Sequence, residues 1–127
     1  MPVRSLTQSV LRWPEPEQVL EQVLAWSQDI STSHPGLQRV GVFGSYGRGD
    51  SGVGSDLDLL LVDALAEGVQ SRRLLTVPLE QLPLSADCLV LTPQELSTLV
   101  RSDQRMGEEL RRDLRWIWSR KNAAFLS

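Results

Sequence analysis

The chain is short of the residues that most catalytic and binding chemistries use. Among 127 residues there is one histidine, His34, and one cysteine, Cys88. That pair cannot build a zinc site of the usual Cys/His kind. One cysteine leaves no internal disulfide, which fits a reducing, cytoplasmic setting. His34 stands beside Pro35 and Gly36, a turn signal and a poor setting for the base of a Ser-His-Asp triad. Lys121 is the only lysine, so no Gly-rich loop carries a Walker lysine. No run of 18 apolar residues is present, which leaves no transmembrane span and no membrane partner. The N-terminal stretch has no apolar segment of the signal-peptide kind. Chemistry here would fall to carboxylates, hydroxyls, arginines, backbone amides and a bound metal.

What is present is ordinary in amount and uneven in placement. Hydrophobic residues make up 41% and charged residues 23%, as in a typical globular protein, and the length allows one domain over 1–127. The net charge is -3, which argues against long nucleic acid as the main partner. Residues 101–121 nevertheless hold seven basic and four acidic side chains, leaving -6 on the rest of the chain.

Apolar spacing predicts a helix over 14–33, with Val19, Leu20, Val23, Leu24 and Ile30 on one stripe and Pro14 and Pro16 in its first turn. A short helix over 5–13 is expected before it. Leu37 to Phe43 reads as a strand in which Gly41 permits close backbone approach. Leu57 to Val62 reads as a strand buried on both faces, and Leu84 to Leu91 as a third. Residues 64–82 fit either a helix interrupted at Pro78 or an edge segment. Thr92-Pro93-Gln94-Glu95 has the form of a capping box opening a helix. A last helix over 105–120 would align Met106, Leu110, Leu114 and Ile117, so that C-terminal helices span 93–120. The sum is an α/β or α+β fold with a mixed sheet of three or four strands flanked by helices.

The chemistry concentrates between the first two strands. Gly44 to Gly54 contains five glycines, the mark of backbone that turns sharply or approaches a ligand. Asp56 and Asp58 alternate into the next strand, so both point to one face with Cα atoms roughly 6.5 Å apart. Carboxylates that close repel unless a cation lies between them. Oxygen-only ligands with room for water and phosphate suit magnesium. Gly44 and Ser45 stand where strand gives way to helical turn, a place that offers amides to phosphate. Arg48 lies one turn on, able to neutralise phosphate charge. Asp87, in the third strand, is the candidate third carboxylate. Cys88 faces the other way as a small apolar residue. Tyr46 reads as packed or solvent-exposed. Asp58 is hard to read as a surface residue, because four apolar residues follow it and an unpaired carboxylate in a buried strand is costly.

The stretch GSYGRGDSGVGSDLDLLLV resembles the minimal nucleotidyltransferases of the DNA polymerase β superfamily, and SADCLVLTPQEL is similar to their later strand and helix. The resemblance covers residues 37–96. It implies that Asp56 and Asp58 hold magnesium, that Asp87 completes the triad, and that Gly44 and Ser45 bind the triphosphate of ATP. Many members are encoded beside a HEPN-domain toxin and transfer AMP from ATP to a tyrosine of that toxin, acting as antitoxins. Other members modify small molecules or nucleic-acid ends. Arg111, Arg112, Arg115, Trp116 and Trp118 raise an alternative, neutralisation of a partner by contact with little or no catalysis.

Overall fold

A computed structural model describes residues 14–121. The expected helix over 5–13 lies outside the described residues. Helix α1 (Pro16–Ser31) opens at Glu15, whose amide donates to the Gln18 side chain at 3.2 Å. It buries Val19, Leu20, Val23, Trp26 and Ile30, the expected stripe with Trp26 in place of Leu24, which stays 36% exposed. Strand β1 (Leu37–Phe43) leads directly into a five-residue helical turn, α2 (Gly44–Arg48). Strand β2 (Leu57–Asp63) follows the glycine-rich loop. A crossover carrying α3 (Gln70–Arg73) and a 3₁₀ turn (Leu79–Gln81) returns the chain to β3 (Ala86–Leu91). Helices α4 (Pro93–Val100) and α5 (Arg105–Asp113) precede β4 (Arg115–Ser119).

The four strands form one mixed sheet in the order β3-β2-β1-β4. β1 pairs antiparallel with β2 and with β4, while β2 and β3 run parallel. Period-2 alternation divides β2 between two cores. Leu57, Leu59 and Leu61 pack with α1 and the crossover residues Val77 and Leu82. Leu60 and Val62 pack with Leu91 and Leu110 under α4 and α5. Covered on both faces, β2 has to be the apolar run that its sequence shows. The Trp26 indole N–H donates to the Pro78 carbonyl at 3.1 Å, tying the crossover to α1. Thr92 caps α4 as expected, its hydroxyl accepting from the Glu95 amide at 3.1 Å.

The free edge of β3 is closed near its end by one side chain. The Gln70 carboxamide donates to the Val90 carbonyl at 2.7 Å and accepts from the Val90 amide at 2.9 Å. It thus takes both bonds that an added strand would make at Val90, a device that blunts edge pairing.

The C-terminal expectation needs correction. The helix over 105–120 stops at Asp113, and residues 115–119 are a strand. The 4-4-3 apolar spacing is helical, but Arg-Trp-Ile-Trp is rich in residues that favour strands, and β1 presents an edge to pair with. A bulge between Trp118 and Trp116 sends Ile117 and Trp118 to the α1 core and Trp116 to the other. Gly41 faces this edge; a Cβ there would crowd Leu114 and Trp116, so the close approach expected of it is made by β4. The 64–82 stretch is neither one interrupted helix nor an edge strand, but two short turns, and Leu75 remains exposed.

Candidate active site

The carboxylates gather where β2 and β3 begin. Asp58 and Asp87 are register partners in the parallel pair, and Phe43 faces Asp58 from β1 on the other side. Both aspartates share the parity of Leu60 and Leu89, so they stand on the α4/α5 face of the sheet. Asp56 lies in the loop just before β2 and is exposed, as is Asp87; Asp58 is half-buried. Its carboxyl is held above the ordinary aspartate range, first by burial, then by the negative charges of Asp87, Glu109 and Asp56. The charge of Glu109 acts on this group from α5.

Gly44 is built around Asp58. Its φ is +62°, a conformation that strains any residue with a Cβ, and a Cβ there would fall on Asp58 Oδ2. The chain therefore passes directly over the carboxylate before α2 begins. Ser45 follows, and its carbonyl accepts from the amides of Gly49 and Asp50 at 3.0 and 3.1 Å, closing the turn. The first amides of any helix have no carbonyl one turn back to bond, and α2 starts beside the Asp58 carboxylate. Tyr46 is buried, 2% exposed, in the α1 core.

The structure brings Gly44, Asp58 and Asp87 together, with Asp56 and Ser45 adjoining. Arg48 is engaged elsewhere. Its Nε donates to Asp50 Oδ2 at 3.1 Å and its Nη1 to Asp113 Oδ2 at 2.9 Å. Asp113, with a fully buried side chain, also accepts from Arg112 Nε and Nη2 at 2.8 and 2.9 Å. Bonding by Arg112 first, and then by Arg48, pulls the Asp113 carboxyl below its ordinary range. Neither Asp113 nor Glu109 was among the expected site residues. The signal for Asp113 appears only once the helix is seen to end there: an acidic residue in the last turn opposes the helix dipole and calls for a partner.

The donor set suits a hard divalent cation. Asp56, Asp58 and Asp87 supply only oxygen, and Gly44 sets no side chain of its own against Asp58 Oδ2. Among the described residues, no group of three or more acidic, histidine or cysteine side chains forms a ready-made ion cage. Magnesium does not require one, because it binds through one or two carboxylates and completes its shell with water and substrate phosphates. Cys88 faces the α1 side, where burial pushes its thiol up to about 12, so it carries no chemistry at this site. A cavity of about 640 Å³ lies at the other end of β3, lined by residues including Gly68, Arg73, Leu91 and Glu95. It shares no residue with the carboxylate group.

This fold and site define a class. A family model of the nucleotidyltransferase domain matches residues 19–82, half of the chain, and the chain belongs to that family. The matched span contains Gly44, Ser45, Asp56 and Asp58 and ends before Asp87. Among solved structures, the chain is similar to one assigned as a nucleotidyltransferase from Sulfolobus solfataricus, with a TM-score of 0.62, 22% identity, and coverage of 85% of this chain and 86% of that one. It is also similar to a chain of a toxin–antitoxin structure with AMP-PNP, with a TM-score of 0.51, 18% identity, and coverage of 77% and 74%. At these identities the likeness is one of fold. No curated protein matches the chain. Among the described residues, no helix is long and apolar enough to cross a membrane.

Proposed function

We propose that this protein is a magnesium-dependent nucleotidyltransferase that moves AMP from ATP to a hydroxyl, most specifically a tyrosine, of a partner HEPN-domain toxin, and so acts as its antitoxin in the cytoplasm. The observation that carries the reading is the Gly44–Asp58 contact: a left-handed glycine laid over a half-buried carboxylate that neighbouring acids repel. Such an arrangement is costly unless a cation and an anion are to be held side by side.

Asp56, Asp58 and Asp87 would hold the metal. When bound, magnesium neutralises the carboxylates and the triphosphate and draws charge toward the leaving pyrophosphate. Amides of the Gly44–Ser45 turn and the Ser45 hydroxyl donate to phosphate oxygens. Asp87, exposed at the sheet end, accepts the proton of the acceptor hydroxyl. The hydroxyl oxygen then bonds to the α-phosphorus as the bond to pyrophosphate breaks. Two features support a protein as acceptor. The carboxylate group lies at an exposed end of the sheet, with Asp56 and Asp87 both exposed, and one structural neighbour comes from a toxin–antitoxin structure with AMP-PNP.

The test is transfer of label from α-phosphate-labelled ATP, with magnesium, to a HEPN-domain protein found as its partner. Label should appear on the partner and disappear with Asp58→Ala. If Asp58→Ala labels as well as the native chain, the reading fails. Neutralisation of the toxin that survives Asp56→Asn with Asp58→Asn would favour inhibition by contact instead. Labelling of an RNA end or a small molecule in place of protein would redirect the acceptor assignment.

A further inference from the structure

We propose that Asp113 is a positioning residue for the nucleotide site: anchored in α5, it holds α2 through Arg48 and the Gly47 backbone and so sets where the Gly44–Ser45 turn stands over Asp58. The inference rests on reading that turn as the triphosphate seat.

A five-residue helix has no stability of its own, because forming its first turn costs more than its few hydrogen bonds return. Its place must be imposed by neighbours. At the front of α2, Gly44 rests against Asp58. At the back, a Cβ on Gly47 would fall on the Asp113 carbonyl, so α2 and the end of α5 touch backbone to backbone. The Asp113 carboxylate then grips the next residue, Arg48, at 2.9 Å. The turn is thus clamped between two aspartates, one at each end.

The placement of Asp113 is unfavourable on other grounds. A fully buried carboxylate at the negative end of a helix is costly unless it is compensated. Arg48 and Arg112 supply that compensation. Glu109, one turn earlier on α5, adds its negative charge to the field at Asp58. One helix therefore bears on the site both by contact with α2 and by charge at Asp58. Arg48 accordingly acts as a strut with its guanidinium turned to Asp113 and Asp50, while its charge still acts on Asp58.

The full chain, with Asp113→Asn, Arg48→Ala, their double variant and Arg112→Ala, tests this. Asp113→Asn should raise the KM for ATP about tenfold, the effect of losing one charge-assisted bond that holds the seat, with a smaller change in kcat. Simple loss of folded protein would lower the apparent kcat and leave KM unmoved, so that result overturns the proposal. Arg48→Ala should match Asp113→Asn, and the double variant should be no worse than either. Multiplying effects would mean that Arg48 binds phosphate independently and would equally overturn it. Arg112→Ala, which touches Asp113 from outside α2, should leave KM within about twofold of native; a rise as large as that of Asp113→Asn would overturn the assignment of the hold to Arg48. Amide exchange gives an answer without ATP: Asp113→Asn should strip protection from Gly49 and Asp50 while α1 keeps its own. If the native chain neither binds nor turns over ATP, the functional reading falls, and unchanged exchange at α2 would separately overturn the hold of Asp113 on the turn.

Discussion

Strands β2 and β3 run side by side from one kind of electrostatics to another. Where they begin, Asp58, Asp87 and Asp56 crowd together with Glu109, and Asp58 carries the cost as a raised proton affinity. Where β3 ends, Glu95 is paired with Arg73 at 2.6 Å, caps α4 through the Thr92 amide at 2.9 Å, and is pulled down to about 2. There Arg73 also donates to the Val90 carbonyl at 2.8 Å. The second region holds a cavity of about 640 Å³, yet every charge named in it has its partner. In the first, like charges outweigh the one cation, Arg48, that acts on Asp58. Repulsion left standing in a fold is a sign of function that volume alone does not give.

The sharpest way to break this comparison is Asp58→Asn. It should lower nucleotidyl transfer on the order of a thousandfold while raising the melting temperature of the metal-free protein, because it removes the group that bears the repulsion. A lowered melting temperature would mean that Asp58 stabilises the fold and that the beginning of the strands is no different from the end. Gly44→Ala comes next. Strain at positive φ costs roughly 1–2 kcal/mol, and the new methyl would displace Asp58 Oδ2, so magnesium should bind at least about tenfold more weakly by calorimetry. Native affinity would show that the glycine serves the turn alone.

The pH dependence of the two ends should have opposite signs. The raised Asp58 holds a proton in the folded state that the unfolded chain has already released. In the metal-free protein its stability contribution is therefore lost as pH rises from the ordinary carboxyl range through the raised folded value. Glu95 is the reverse: its contribution is present above the ordinary range and is lost as pH falls toward about 2. Melting curves of Asp58→Asn and Glu95→Gln against the native chain should diverge at opposite ends of the acid range; parallel curves would refute the contrast. The smallest effect is expected of Thr92→Ala, which removes a helix cap at the satisfied end. It should cost about 1 kcal/mol in urea unfolding and leave transfer unchanged, whereas a large loss of activity would tie the far end to catalysis.

Much of this was legible along the chain. The strand Leu37–Phe43 came out with the bounds that its alternation predicts. Gly44, Asp58 and Asp87 were identifiable because glycine at a strand end and a carboxylate inside an apolar run are local anomalies. Thr92-Pro93 and Glu95 carried the start of α4 in four residues. Other features were not legible. The apolar spacing of 106–117 fits a helix; only the open edge of β1 makes 115–119 a strand. Nothing near Gln70 in sequence announces that its carboxamide will complete the hydrogen bonds of Val90, twenty residues later. Arg48 reads as a free cation until α5 delivers Asp113, sixty-five residues away.

Sequence alone thus determined which side chains can carry chemistry and where the chain must turn, because those follow from side-chain chemistry, φ preferences and short-range periodicity. The tertiary structure decided which groups face one another. Asp58 meets Asp87 only through parallel pairing, and the short turn over Asp58 is held only because a buried aspartate from a distant helix reaches it. Charges interact through space, and the fold alone sets the distances.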